Sequence, residues 1–174
     1  MSKIDLVITL HKSELIYDVR NKTYLIGRNR YDGKNDEQVA NMQVNEEGEH
    51  MEQILRSIGD AYNGLKLKLA KYYKNVGNLS DKVSNVWMNG EGNLEFILEV
   101  PGNFDRNVVD TIASGCHKFI VNTAIGEWFA ITKPDEAEMY LAKAGNGLAE
   151  IHAAINKRVR PIREVEDDKT AENY

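Results

Sequence analysis

The chain has 174 residues, 22 Lys+Arg against 27 Asp+Glu, and a formal charge of -5 at neutral pH. Hydrophobic residues make up 42% and charged residues 28%, the balance of an ordinary globular domain. No apolar run reaches the ~18 residues that span a bilayer, the segment before residue 16 lacks a secretory pattern, and one cysteine excludes an internal disulfide or a Cys-rich zinc module. The acidic balance also argues against a dedicated nucleic-acid binder.

Residues 1–30 read as β. Ile4, Val7, Ile8 and Thr9 are β-branched, and the apolar groups around Leu15–Val19 and Thr23–Ile26 flank a polar Arg20-Asn21-Lys22. That pattern predicts an N-terminal β segment containing a short-looped hairpin. Residues 31–45 are polar and glycine-punctuated at the start, which predicts an exposed loop or arm.

From residue 46 the period becomes helical. Met51, Ile54, Leu55, Ile58, Tyr62, Leu65, Leu69 and Tyr72 recur at three and four, predicting a helix over residues 46–74. Acidic residues at its start and lysines at its end suit the helix dipole. Residues 83–100 predict a hairpin, with Leu94, Phe96, Leu98 and Val100 alternating behind a glycine-rich turn.

A second helix is predicted over residues 105–131, striped by Ile112, Cys116, Phe119, Ile120, Ala124 and Trp128. Pro134 suits the first position of a third, striped by Ala137, Tyr140, Leu141, Ala144, Leu148, Ile151 and Ile155. Residues 46–163 are thus a helical bundle with a hairpin, and residues 164–174 an acidic, disordered tail. The fold class is α+β, mainly helical, with three long helices.

All three helices carry interior glycines: Gly59 and Gly64, Gly115 and Gly126, Gly145 and Gly147. Each costs about 1 kcal/mol relative to alanine. Close helix approach within the monomer would compensate that, and so would contact with a neighbouring subunit.

Catalytic and metal chemistry find little footing. Glu47 and His50 have Glu-x-x-His spacing, but no second such pair lies near His117 or His152. His50, among acids, reads as solvated. The Gly90 and Gly145 regions lack a phosphate-binding context. Cys116 and His117 are adjacent on a helix, about 100° apart in direction, and do not make a dyad. No cofactor, metal or enzymatic activity is expected.

What remains is surface signal. Lys157, Arg158, Arg160 and Arg163 cluster within seven residues, either complementing a helix C-terminus or forming a docking patch. Arg28 and Arg30, with Tyr31 beside them, make a weaker second patch. Trp87 and Met88 at the hairpin tip read as packing groups or as interface anchors.

The runs Gly115–Asn122 and Glu127–Ala137, the closing Ala154–Arg163, and the early Ile16–Leu25 resemble head–tail connector (neck ring) proteins of tailed phages, of the type found in crAss-like and other Bacteroidetes-infecting phages. In that group a helix with a Tyr or Phe and a Trp-Phe pair leads into a helix ending in a basic Arg-Pro segment. The generic pattern lacks the N-terminal β segment and the hairpin. The resemblance implies a virion protein: a cyclic homo-oligomer, commonly of about twelve copies, stacked beneath the portal. Its partners would be itself, the portal and other neck or tail rings. DNA would pass through the channel without sequence-specific binding, and no membrane is involved. The alternative is a non-enzymatic bacterial interaction module, an adaptor or regulator in the cytoplasm.

Overall fold

In the computed structural model, which describes residues 2–45, 48–74 and 90–160, the alternation at the N-terminus forms strand β1, Lys3–His11. Strand β2 is Asn93–Pro101, and the two pair antiparallel with Leu6 opposite Leu98 and Ile8 opposite Phe96. Period-2 alternation places Ile8, Leu10, Leu94, Phe96, Leu98 and Val100 on the buried face, leaving Lys3, Asp5, Val7 and Thr9 outside. The expected strand at 94–100 is therefore present. Its described partner is β1, some ninety residues earlier in the chain, and residues 83–88 lie outside the described residues.

The other edge of β2 is partly occupied. Lys74 N–H donates to the Ile97 carbonyl at 3.0 Å, and the Tyr62 hydroxyl donates to the Glu95 carbonyl at 2.7 Å. Tyr62 and Tyr73 also meet the Phe96 ring edge-on, at 5.0 and 6.3 Å.

The hairpin expected within residues 15–26 is not there. Lys12–Asn29 is a single helix, α1, beginning directly after β1. Leu15, Val19, Thr23 and Gly27 form its buried stripe at a spacing of four. β-branched and aromatic content argued for strands, but propensity is a weak preference that burial of a helical stripe overrides. Thr23 shows how the turn-like polar stretch is accommodated. Its hydroxyl donates to the Val19 carbonyl at 2.9 Å and accepts from Val44 N–H at 3.3 Å.

The exposed arm expected over 31–45 is corrected as well. Residues Asp36–Met42 form a short helix, α2, and Val39, Met42 and Val44 are buried. The turn between α1 and α2 is exposed, with Gly33 at a positive φ of 86°, and so are Asp36, Glu37, Gln38, Ala40 and Asn41 on the outer side of α2.

The remaining helices fall close to expectation. Helix α3, Gly48–Lys68, is followed by a 3-10 turn at Ala70–Tyr72. Helix α4, Val109–Thr132, begins after a 3-10 turn at Arg106–Val108, where the Asp105 carboxylate accepts from Asn107 N–H at 3.0 Å. Helix α5, Pro134–Ile155, starts on its proline and ends before the basic segment.

Helix α4 is the hub, since α1, α3 and α5 all pack on it. Eleven of its residues are buried, including Ile112, Phe119, Ile120, Ile125 and Phe129. Glycine permits the α4–α5 approach: a Cβ at Gly115 would lie 2.6 Å from Ile151 Cγ1, and one at Gly126 would lie 2.7 Å from Leu141 Cδ2. For those two glycines, close approach within the monomer is the reason. A Cβ at Gly64, Gly145 or Gly147 would meet nothing within 4 Å. The chain is mainly helical α+β, and among the described residues no helix is long and apolar enough to cross a membrane.

Candidate interaction surfaces

Helix α1 buries one side on α4 and turns another to solvent. Tyr17, Asn21, Tyr24 and Arg28 follow one another at four, three and four residues, so they share that outer side, and Tyr31 continues it past the helix end. Tyr17 is 66% exposed, Tyr24 47% and Tyr31 53%, high values for side chains that usually bury their rings. Tyr17, Arg20, Asn21, Tyr24 and Val44 line an open groove of about 250 Å³. That is smaller than the ~300–1,000 Å³ of small-molecule sites, and suits one or two side chains of a partner. Tyrosine and arginine are also the residue types that anchor protein interfaces. β-branched and aromatic content over residues 15–26 favours strands and hides this face in the sequence. The signal that finds it is the seven-residue spacing of Tyr17, Tyr24 and Tyr31.

Helix α5 presents a different outer side. Ala142, Gly145, Ala149 and Ala153 are exposed at three- and four-residue spacing, with Met139 and Leu141 at the near end. Glu138 heads the same row one turn before Ala142, the exposed Asn146 lies within it between Ala142 and Ala149, and Glu150 borders it.

The basic patches predicted from sequence are largely bound up in the fold. Arg30 donates to Glu136 at 2.5 Å, tying the end of α1 to the start of α5, while Arg28 stays exposed. Tyr31 is exposed, and the charge of Asp36, which also hydrogen-bonds it, raises its phenol pKa. Lys157 Nζ lies 3.7 Å from the Asp105 carboxylate. Arg158 Nη1 donates to the carbonyls of Ile155 at 2.8 Å and Lys157 at 3.0 Å, capping α5 as a C-terminal cation should. Val159 N–H donates to the Asn103 carbonyl at 2.9 Å, pinning this segment to the loop after β2. Of the four cations, Lys157 and Arg160 are exposed; Arg163, like Trp87 and Met88, lies outside the described residues.

The interior imidazoles and the Trp128 indole have structural partners, and the thiol is buried in the core. Burial pushes the Cys116 thiol up to about 12, so it stays protonated in the core. His117 Nε2 lies 3.0 Å from Asp18 Oδ2, tying α4 to α1. His50 is partly exposed, and it also has partners: its ring meets Trp128 edge-on at 4.8 Å and its Nδ1 accepts from Asn45 N–H at 3.4 Å. The Trp128 indole donates to the Met42 carbonyl at 2.9 Å, anchoring α2 to α4. Burial raises the pKa of Tyr73, whose hydroxyl makes no hydrogen bond, and that of the half-buried Glu127. The Ser57 hydroxyl opposes the shift at Glu127, and the Asp60 charge adds to it. Among the described residues no group of three or more His, Cys, Asp and Glu could hold a metal ion.

Two helices on one hub thus expose faces of unlike shape and composition: rings and guanidinium on α1, backbone and small side chains on α5. No family model, curated protein or solved structure matches this chain.

Proposed function

We propose that this chain is a structural subunit of a phage neck ring, stacked between portal and tail in the virion and continuing the DNA channel. The observation that carries the reading is the pair of unlike faces on α1 and α5. A ring is built from heterologous contacts, in which one face of a subunit meets a different face of the next. Projecting Tyr17, Tyr24 and Arg28 are the kind of surface that seats on a strip of Ala142, Gly145, Ala149 and Ala153. Glu138 at the head of the strip and Glu150 at its border match the α1 arginine in charge. The exposed Gly145 of α5 then has a purpose outside the monomer, whereas Gly115 and Gly126 have theirs within it. The resemblance of the segments carried by α4, α5 and the basic ending to neck ring proteins points the same way.

The α1 groove also favours a second reading, an adaptor that binds one partner protein through Tyr17 and Tyr24. Quantitative peptide mass spectrometry on density-banded particles from the source culture separates the two. The neck reading expects the chain in the particles at a copy number matching the portal subunit. Recovery only from the soluble fraction, bound to a single partner, replaces it with the adaptor.

A further inference from the structure

The outer edge of β1, which no described residue pairs, carries an inference that does not depend on the ring. The ladder shows which backbone groups are spoken for. Gly102 N–H donates to the Ser2 carbonyl at 2.8 Å and Lys12 N–H donates to the Gly92 carbonyl at 3.2 Å, so the even-numbered residues of β1 face β2. Lys74, bonding Ile97 from the far side of β2, fixes the same phase, because Ile97 stands opposite Val7. In an antiparallel pair these residues alternate, so Lys3, Asp5, Val7, Thr9 and His11 aim both N–H and C=O away from β2. Among the described residues nothing pairs with that row, and β1 is an edge of a two-stranded sheet.

Native edges are usually blunted by unpaired charges, proline or bulges. Here the charges are neutralised from the β2 side, Lys3 by Glu99 and Asp5 by Lys74, the latter at 2.5 Å. The residue at the strand's centre is Val7, 56% exposed. On the inner face Ile4 and Leu6 are only partly buried, while their partners Val100 and Leu98 are fully buried. Apolar surface is thus left open along the edge strand.

We propose that β1 pairs antiparallel with β1 of a second copy, about a two-fold axis at Val7, making a continuous four-stranded sheet. The register is self-complementary. Val7 stands opposite the second copy's Val7, Asp5 opposite its Thr9, and Lys3 opposite its His11, so no two carboxylates and no two lysines confront each other. All nine residues of β1 then find a partner, and Leu6 and Ile4 lie beside the second copy's Ile8 and Leu10. A register centred on Asp5 would set two carboxylates face to face and leave the end of the strand unpaired. The two-fold contact closes after two copies, unlike the side-to-side contacts of a ring, and uses neither α1 nor α5.

The test is sedimentation velocity on the purified full chain with two substitutions at Val7. Val7→Lys puts two ammonium groups together at the axis, and Val7→Pro deletes an outward N–H that β2 does not use. A concentration-dependent dimer in the wild type, lost in both variants with an unchanged helical circular-dichroism spectrum, is the expected result. Val7→Cys then reads the register directly. Directly opposed residues have Cα atoms about 5.5 Å apart, within disulfide range, so mild oxidation yields a covalent dimer. Thr9→Cys does not, since the two Thr9 residues stand four positions, about 13 Å, out of step. A wild type that stays monomeric, an assembly whose size is the same in Val7→Lys as in the wild type, or crosslinking at Thr9 in place of Val7 each overturns the proposal.

Discussion

Glu127 shows how one side chain can hold stability back. It sits half-buried on the hub helix facing α3, and burial, opposed by Ser57 and joined by the Asp60 charge, raises its pKa above the ordinary 4.5. A carboxyl that holds its proton more tightly when folded favours folding while protonated, and that contribution is lost as pH rises from 4.5 through the raised value. Urea denaturation should therefore find Glu127→Gln more stable than wild type at neutral pH, with a flatter dependence on pH across that window. A variant that tracks the wild type at every pH contradicts the assignment. The basic ending offers a second contrast. Arg158→Ala should lose about 1–3 kcal/mol, because it uncaps two carbonyls at the end of α5. Arg160→Ala, at an exposed site, should stay within about 0.5 kcal/mol, a difference readable as a shift of the urea midpoint. The two arginines look alike in sequence. Which one is a cap depends on where the chain turns after Ile155, and that turn is made by Asn103, Asp105 and Lys157.

At the scale of elements, the interior glycines divide by what stands opposite them. Gly115→Ala gains helix propensity of about 1 kcal/mol, but its Cβ would press on Ile151, a stiff, fully buried side chain. Overpacking of about 1–3 kcal/mol should win and lower the melting temperature. Gly145→Ala meets open space in the monomer and should raise it, by an amount corresponding to about 0.5–1 kcal/mol. If the α5 strip seats a neighbouring subunit, the same substitution should impair assembly, and particle reconstitution with the variant measures that. Legibility also varied by element. Helices α3, α4 and α5 were readable because each has a sustained stripe of apolar residues at period 3.6. Helix α1 was not, because its buried stripe includes Thr23 and Gly27 while Tyr17, Tyr24 and Leu25 face out. Its hydrophobic pattern is therefore weak in the direction that matters.

Across the whole molecule, stability rests on pairing the two ends of a long stretch of chain. Strands β1 and β2 meet only after α1, α2 and α3 have intervened, and their inner face joins the same core as α4. Leu98→Ala, at a fully buried site opposite Leu6, should cost about 2–5 kcal/mol. Helical signal and Trp fluorescence should be lost at one shared denaturant midpoint, since sheet and bundle share that core. Separate transitions would mean that the sheet is dispensable to the bundle.

By itself the sequence determined the mainly helical α+β class, the three long helices, the strand at 94–100, and the burial of Cys116. These follow from local periodicity and from glycine and proline punctuation, which a single chain segment carries within itself. Only the tertiary structure decided that β2 pairs with β1, that residues 12–29 form a helix, and that Arg30, Lys157 and Arg158 are engaged within the fold while Tyr17 and Tyr24 are displayed. The physical reason is common to all of these. Strand partners, the winning conformation of an ambiguous segment and the exposure of a side chain depend on surfaces brought together from distant parts of the chain, and local pattern holds no record of which surfaces those are.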